Sequence, residues 1–157
     1  MYQIQPMTAA AAQEISAWCY PGEYALYSFH PDEETLAELL GGDYYACYGA
    51  QGELVGYFCY GACARIPTVE PGCYPDGPLD VGLGMRPALC GQGLGADFLA
   101  AGLDYGISRF QPSALRLTVA QFNQRARTLY CRAGFALWKR ATHQRSGMQF
   151  QILLRQL

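Results

Sequence analysis

The sequence predicts an α/β domain with one mixed sheet, and three observations carry that reading. Strand-like and helix-like runs alternate along the whole chain in the order β-α-α-β-β-β-α-β-α-β-β. Two aromatic, β-rich runs flank a short Ala50-Gln51-Gly52 turn, which is a hairpin signal. Glycines at 91, 93 and 95 stand directly ahead of a helical pattern, as they do where a backbone must bend sharply before a helix starts.

Each element has a local reason. Residues 2–5 read as a short strand, and Thr8 can cap a helix running through Ala17. Pro31-Asp32-Glu33-Glu34 opens a second helix ending at Gly41-Gly42, since proline and acids suit a first turn. The run DYYACYGAQGELVGYFCYGAC supplies the hairpin. Residues 66–78 hold four prolines and two glycines and are expected as a loop. Residues 79–86 look like a strand in which Gly82 and Gly84 mark a bulge or a close backbone approach. Beyond the glycines, Leu94, Phe98, Ala101 and Tyr105 recur at helical spacing. Residues 114–120 read as a strand. Asn123 caps a helix whose Ala126, Leu129, Tyr130 and Ala133 share a face, and Gly134 stops it. FALWKRATH and MQFQILLRQL give two closing strands.

The 157 residues, 51% of them apolar, suffice for one packed domain, residues 1–157, and are too few for two. No apolar run approaches a membrane span, and MYQIQPMTA lacks a basic-then-apolar leader, so a cytoplasmic protein without a membrane partner is expected. The seven cysteines are odd in number and lack Cys-x-x-Cys spacing; Cys59 and Cys63, the nearest pair, fall among strand formers. They read as small hydrophobes or incidental thiols. With only two histidines, His30 and His143, no metal site is expected.

The net charge of −2 hides a split. Residues 1–80 hold eleven acids and one base, about −10, while residues 81–157 hold ten bases and two acids, about +8. Only one of those ten bases is a lysine, and no aromatic stripe runs among them, so no nucleic-acid partner is expected.

LCGQGLGAD invites comparison with three anion-binding loops. A P-loop needs Gly-Lys-Ser/Thr, whereas Gly95 is followed by Ala96-Asp97. Gly91-x-Gly93-x-x-Ala96 formally fits the dinucleotide pattern, but Pro87-Ala88-Leu89-Cys90 separate it from its strand and no acid ends the next strand. The third is the pyrophosphate loop of acetyl-CoA-dependent N-acetyltransferases. Residues 79–135 resemble the GNAT superfamily: a strand ending in Met85-Arg86-Pro87, the CGQGLG loop, then Asn123, Ala126, Leu129-Tyr130 and Gly134-Phe135 at the family's spacing. Cys90 departs from the family's usual Arg or Gln. Physically, N–H groups from Gly91, Gln92, Gly93, Leu94, Gly95 and Ala96 can turn toward a pyrophosphate at a helix's positive end.

The resemblance implies a central, mostly antiparallel sheet flanked by helices, with the strand at 82–86 splayed from that at 115–120 to admit the pantetheine arm. It implies acetyl-CoA as cosubstrate, bound by the loop, by backbone groups of Leu83, Gly84 and Met85, and by Asn123. A free N–H of that strand would also support a developing oxyanion. Tyr130 matches the family's general acid, and a phenol suits a departing thiolate. Asp80 matches one family position for the base, with a water chain as the alternative; Thr118 stands at the other such position and cannot serve. The expected function is acetyl transfer to a primary amine in a ternary complex, against the alternative of a CoA-binding module without activity. The acceptor, a small molecule or a peptide or protein amine, would be read by residues 18–45 and 64–78. Glu23, Asp32, Glu33, Glu34 and Asp43 would draw cationic amines to that side, and Arg125, Arg127 and Arg132 suit the phosphates of CoA. A homodimer is an open oligomeric option.

Overall fold

The computed structural model describes residues 1–157 throughout. Its elements follow the expected order: β1 (Gln3–Pro6), α1 (Ala9–Ser16), α2 (Glu33–Leu39), β2 (Tyr44–Tyr48), β3 (Leu54–Tyr60), β4 (Leu79–Met85), α3 (Gly95–Phe110), β5 (Ala114–Ala120), α4 (Gln124–Arg132), β6 (Ala136–Thr142) and β7 (Gln149–Gln156), with 3-10 turns at Gly22–Tyr27, Ala62–Ala64 and Pro87–Leu89. The seven strands form one sheet in the order β1-β2-β3-β4-β5-β7-β6. β1, β2 and β3 pair antiparallel, as do β5, β7 and β6, whereas β4 and β5 run parallel. That parallel ladder has two rungs only, Leu79↔Leu115 and Asp80↔Arg116. No further rung joins β4 to β5, while β5 stays bonded to β7 as far as Ala120.

The chain divides into two compact units, Met1–Cys59 with Leu83–Gly102, and Tyr60–Gly82 with Leu103–Leu157. In the first, Ile15, Leu39, Ala46, Phe58, Phe98 and Leu99 are buried, and the rings of Phe58 and Phe98 stack at 4.5 Å. In the second, Leu115, Leu117 and Ile152 are buried, and Cys73 packs against Ala141 and Ile152. None of the seven cysteines forms a disulfide. No helix is long and apolar enough to cross a membrane.

Several local expectations need correction. The second helix starts at Glu33 and ends at Leu39; Pro31 lies outside it, because Asp32 takes the cap, its carboxylate accepting the Thr35 N–H at 2.8 Å. Cys63 lies in a 3-10 turn instead of a strand. The spacing of Leu94, Phe98, Ala101 and Tyr105 falls on α3 as expected, and the buried positions of that helix are Phe98, Leu99, Gly102, Leu103 and Gly106. The glycines decide this. A side chain at Gly102 would meet the Phe58 ring, and one at Gly106 the Tyr60 ring, so the helix approaches by its smallest residues.

Candidate active site

In the first unit, β4 ends at Met85 and the chain turns through Pro87–Leu89 to the glycines. Gly91 and Gly93 have φ of 75° and 76°, left-handed conformations that cost other residues roughly 1–2 kcal/mol. Nothing lies within 4 Å of where a Cβ on Gly93 would stand, so no protein atom covers that side of the turn. α3 begins at Gly95, and its unbonded N–H groups carry the positive end of the helix.

The turn is tied down behind. The Tyr20 hydroxyl donates to the Met85 carbonyl at 2.7 Å, and burial pushes that phenol's pKa well above its ordinary value. Arg86 donates from its backbone N–H to Val55 O and from Nε to Leu54 O, both at 2.8 Å, and from Nη2 to Glu14 at 2.7 Å. Its guanidinium lies 5.2 Å from the Trp18 ring. The Gln92 amide donates to Ala88 O. The Cys90 thiol turns back toward the carbonyls of Met85 and Arg86. The departure at position 90 thus gives a thiol hydrogen-bonded to its own strand end. Gly84 marks a close approach: a Cβ there would meet the Tyr57 ring, and one on Gly56 would meet Phe98 and the Gly84 carbonyl.

In the second unit, Asn123 caps α4, its side-chain oxygen accepting the Ala126 N–H at 3.1 Å. Tyr130 is buried at 8% exposure. Its carbonyl accepts N–H groups from Ala133 and Phe135, and Gly134 at φ 96° reverses the chain. A cavity of about 620 Å³ beside α4 is lined by Arg127, Thr128, Cys131, Arg132, Leu137 and Leu153 among others; neither Tyr130 nor Asn123 lines it.

Asp80 lies at the last rung of the parallel ladder, 2% exposed. Arg116 Nε donates to Oδ1 at 2.6 Å and Nη2 to Oδ2 at 2.8 Å, while Arg65 Nε donates to Oδ2 at 2.9 Å. A carboxylate offers roughly four lone-pair sites, and three are taken. Arg116 also donates to Pro75 O. Tyr74 packs against both arginines, 5.5 Å from Arg65 and 5.2 Å from Arg116. Its hydroxyl accepts the Ile66 N–H and meets the Thr118 hydroxyl at 2.8 Å. Burial raises its pKa against the opposing effect of these bonds.

Leu83, Gly84, Met85 and the loop residues are thus contiguous in one unit, and Asp80, Asn123 and Tyr130 lie in the other. The carboxylate of Asp80 is partnered by the two arginines. Sequence reasoning missed Tyr20, Arg65, Tyr74 and Arg116. Only Arg116 carried a signal, as a lone charge within the apolar strand ALRLTVA that demands a buried acid. Of the acids expected to steer amines, Asp32 is engaged as a helix cap, which holds its pKa below the ordinary range, and Glu33 and Glu34 occupy the first turn of α2. No three His, Cys, Asp or Glu side chains are grouped so as to hold a metal ion.

The model of the acetyltransferase (GNAT) family matches residues 9–135. The chain belongs to that family. Solved structures agree on the fold. A chimera of the spermidine N-acetyltransferase SpeG of Vibrio cholerae with hSSAT superposes with a TM-score of 0.70 at 15% identity, covering 99% of this chain and 95% of its own. A protein assigned as a phosphinothricin N-acetyltransferase gives 0.70 at 15%, covering 100% and 99%. One assigned as a GNAT-family acetyltransferase from Bordetella pertussis gives 0.72 at 18%, covering 97% and 93%. A search of curated proteins finds no match. In this GNAT chain the matched span includes both the two-rung ladder and the glycine turn.

Proposed function

We propose that this single domain, residues 1–157, transfers the acetyl group of acetyl-CoA to a primary amine by direct attack. The observation that carries the reading is the pair of left-handed glycines ahead of α3, with open space beside Gly93. That turn would take the pyrophosphate on the N–H groups of residues 91–96, with backbone groups of Leu83, Gly84 and Met85 for the pantetheine amides and Asn123 as a further contact. Acetyl-CoA supplies the activated acyl group. The amine nitrogen bonds to the carbonyl carbon, the carbon–sulfur bond breaks, and Tyr130 gives the sulfur its proton.

The amine must also lose a proton. The three hydrogen bonds that Asp80 accepts from two arginines support a water route over Asp80 as the base, because little of its carboxylate is left to reach a substrate. The relatives bear on the acceptor only as a range, since spermidine and phosphinothricin are both amines and differ in charge. The test is release of free thiol from acetyl-CoA across a panel of amines, with the acetylated product identified by mass. Thiol release without acetylated amine, or none from any amine, would favour the inactive-module reading.

A further inference from the structure

The segment 64–78 carries near its start an arginine, Arg65, whose charge is only partly met. One carboxylate, Asp80, faces two guanidiniums, and Arg116 takes both of its oxygens. Arg65 reaches it through Nε alone, so the cluster holds one positive charge in excess. The segment's other acids do not offset it. Glu70 accepts the Thr142 N–H and hydroxyl, each at 2.8 Å, and Asp76 forms no ion pair.

The excess sits on a prepared group. Nη1 and Nη2 of Arg65 have no hydrogen-bond partner in the protein, and its side chain is 34% exposed. Nε is held by Asp80, and Tyr74, itself fixed by Ile66 and Thr118, packs against the guanidinium. A guanidinium anchored through Nε and by a ring keeps its outer pair of N–H groups for a planar oxyanion, which a carboxylate meets with two parallel bonds. The anchoring removes much of the entropy cost of ordering a long side chain.

We propose that Arg65 binds a carboxylate of the acceptor, so that the substrates are amino acids or other amines carrying a carboxylate. This rests on the transfer reading above. The same fork would also take a phosphate of the cosubstrate, and the experiment separates the two sources.

Alanine is compared with ethylamine and phenylalanine with phenethylamine, in the wild type, Arg65→Gln and Arg65→Lys, with folding checked by thermal melts. In the wild type at least one amino acid should exceed its decarboxylated partner in kcat/KM by about tenfold or more. That ratio should fall toward one in Arg65→Gln, and Arg65→Lys, which keeps the charge and loses the fork, should restore it only in part. Equal use of both partners, or a ratio that survives Arg65→Gln, overturns the assignment. So does a rise in the KM of acetyl-CoA in place of the lost ratio, which would give the fork to a phosphate. If no amine turns over, calorimetry with N-acetylphenylalanine and N-acetylphenethylamine decides. Carboxylate-dependent binding lost in Arg65→Gln keeps the site and overturns the transfer reading, and its absence from the wild type overturns the site.

Discussion

Arg116 and Asp80 face each other across the last rung of the parallel ladder, joined by two hydrogen bonds of 2.6 and 2.8 Å, with 1% and 2% of their surfaces exposed. No further rung joins β4 to β5 beyond it, so the ion pair stands at the end of their ladder. A pair so placed resists loss of either member more than loss of both, because the survivor is a buried charge without a counterion. Asp80→Asn should lower stability by about 3–5 kcal/mol in urea unfolding. The double variant Asp80→Asn/Arg116→Gln should lose less than the sum of the single losses. Strict additivity would mean that the pair is not a unit.

The glycine turn can be tested apart from general strain. Gly93→Val puts a branched side chain at φ 76° on the open face of the turn. Acetyl-CoA affinity measured by calorimetry should fall at least tenfold, about 1.4 kcal/mol. Gly42, at φ 105° and also in open space, gives the control. Gly42→Val likewise strains the backbone and should leave affinity where it was.

For Tyr130 the phenylalanine variant keeps the ring and removes the proton donor. Turnover should drop by roughly 10²-fold, with little change in the dissociation constant of acetyl-CoA. A rate that persists with a good acceptor would make Tyr130 a packing residue and leave protonation of the thiolate to water.

Cys47 gives the fold a dependence on alkali. Burial pushes its thiol from 9.0 up to about 12. Above pH 9 the unfolded chain releases this proton and the folded chain keeps it. The unfolded state then binds fewer protons, so stability falls as pH rises through the window from 9 to 12, by up to about 1.4 kcal/mol per pH unit. Half-buried Tyr20 and Tyr74 are shifted the same way and add to the decline above pH 10. Urea midpoints between pH 8.5 and 10 should therefore slope downward, and Cys47→Ala should flatten the slope. An unchanged slope would exclude Cys47 as its source.

The order of elements was legible because each depends on its own residues: Thr8 and Asn123 cap the helices they precede, and Gly134 ends the helix before it. Faces and partners were less legible, since they depend on residues far along the chain. The buried face of α3 is set by Phe58 and Tyr60 through Gly102 and Gly106, and neither ring shows in the helix's own periodicity. Likewise the glycine turn ahead of α3 could be read from its spacing, whereas the state of Asp80 could not. Its position matched a base, but only the strand register reveals that Arg116 lies beside it. Arg65 and Tyr74 come from a proline-rich segment with no period, so their convergence on Asp80 had no local signal.

The segment after Arg65 also governs where the sheet can grow. β6 is its last strand, and a last strand offers a template to any passing chain. Along its far end that template is already used: Val69 N–H donates to Thr142 O, Glu70 accepts the Thr142 N–H, and Thr68 bridges to His143. Near its start, Trp138 is the extra residue of a bulge between Leu137 and Lys139, which breaks the regular spacing an incoming strand would need. Addition of a strand at the β6 edge is thus blocked at one end by the chain's own residues and hindered at the other by a misfit. Shortening the proline-rich segment would expose the docking rungs and turn a substrate-side change into an aggregation defect.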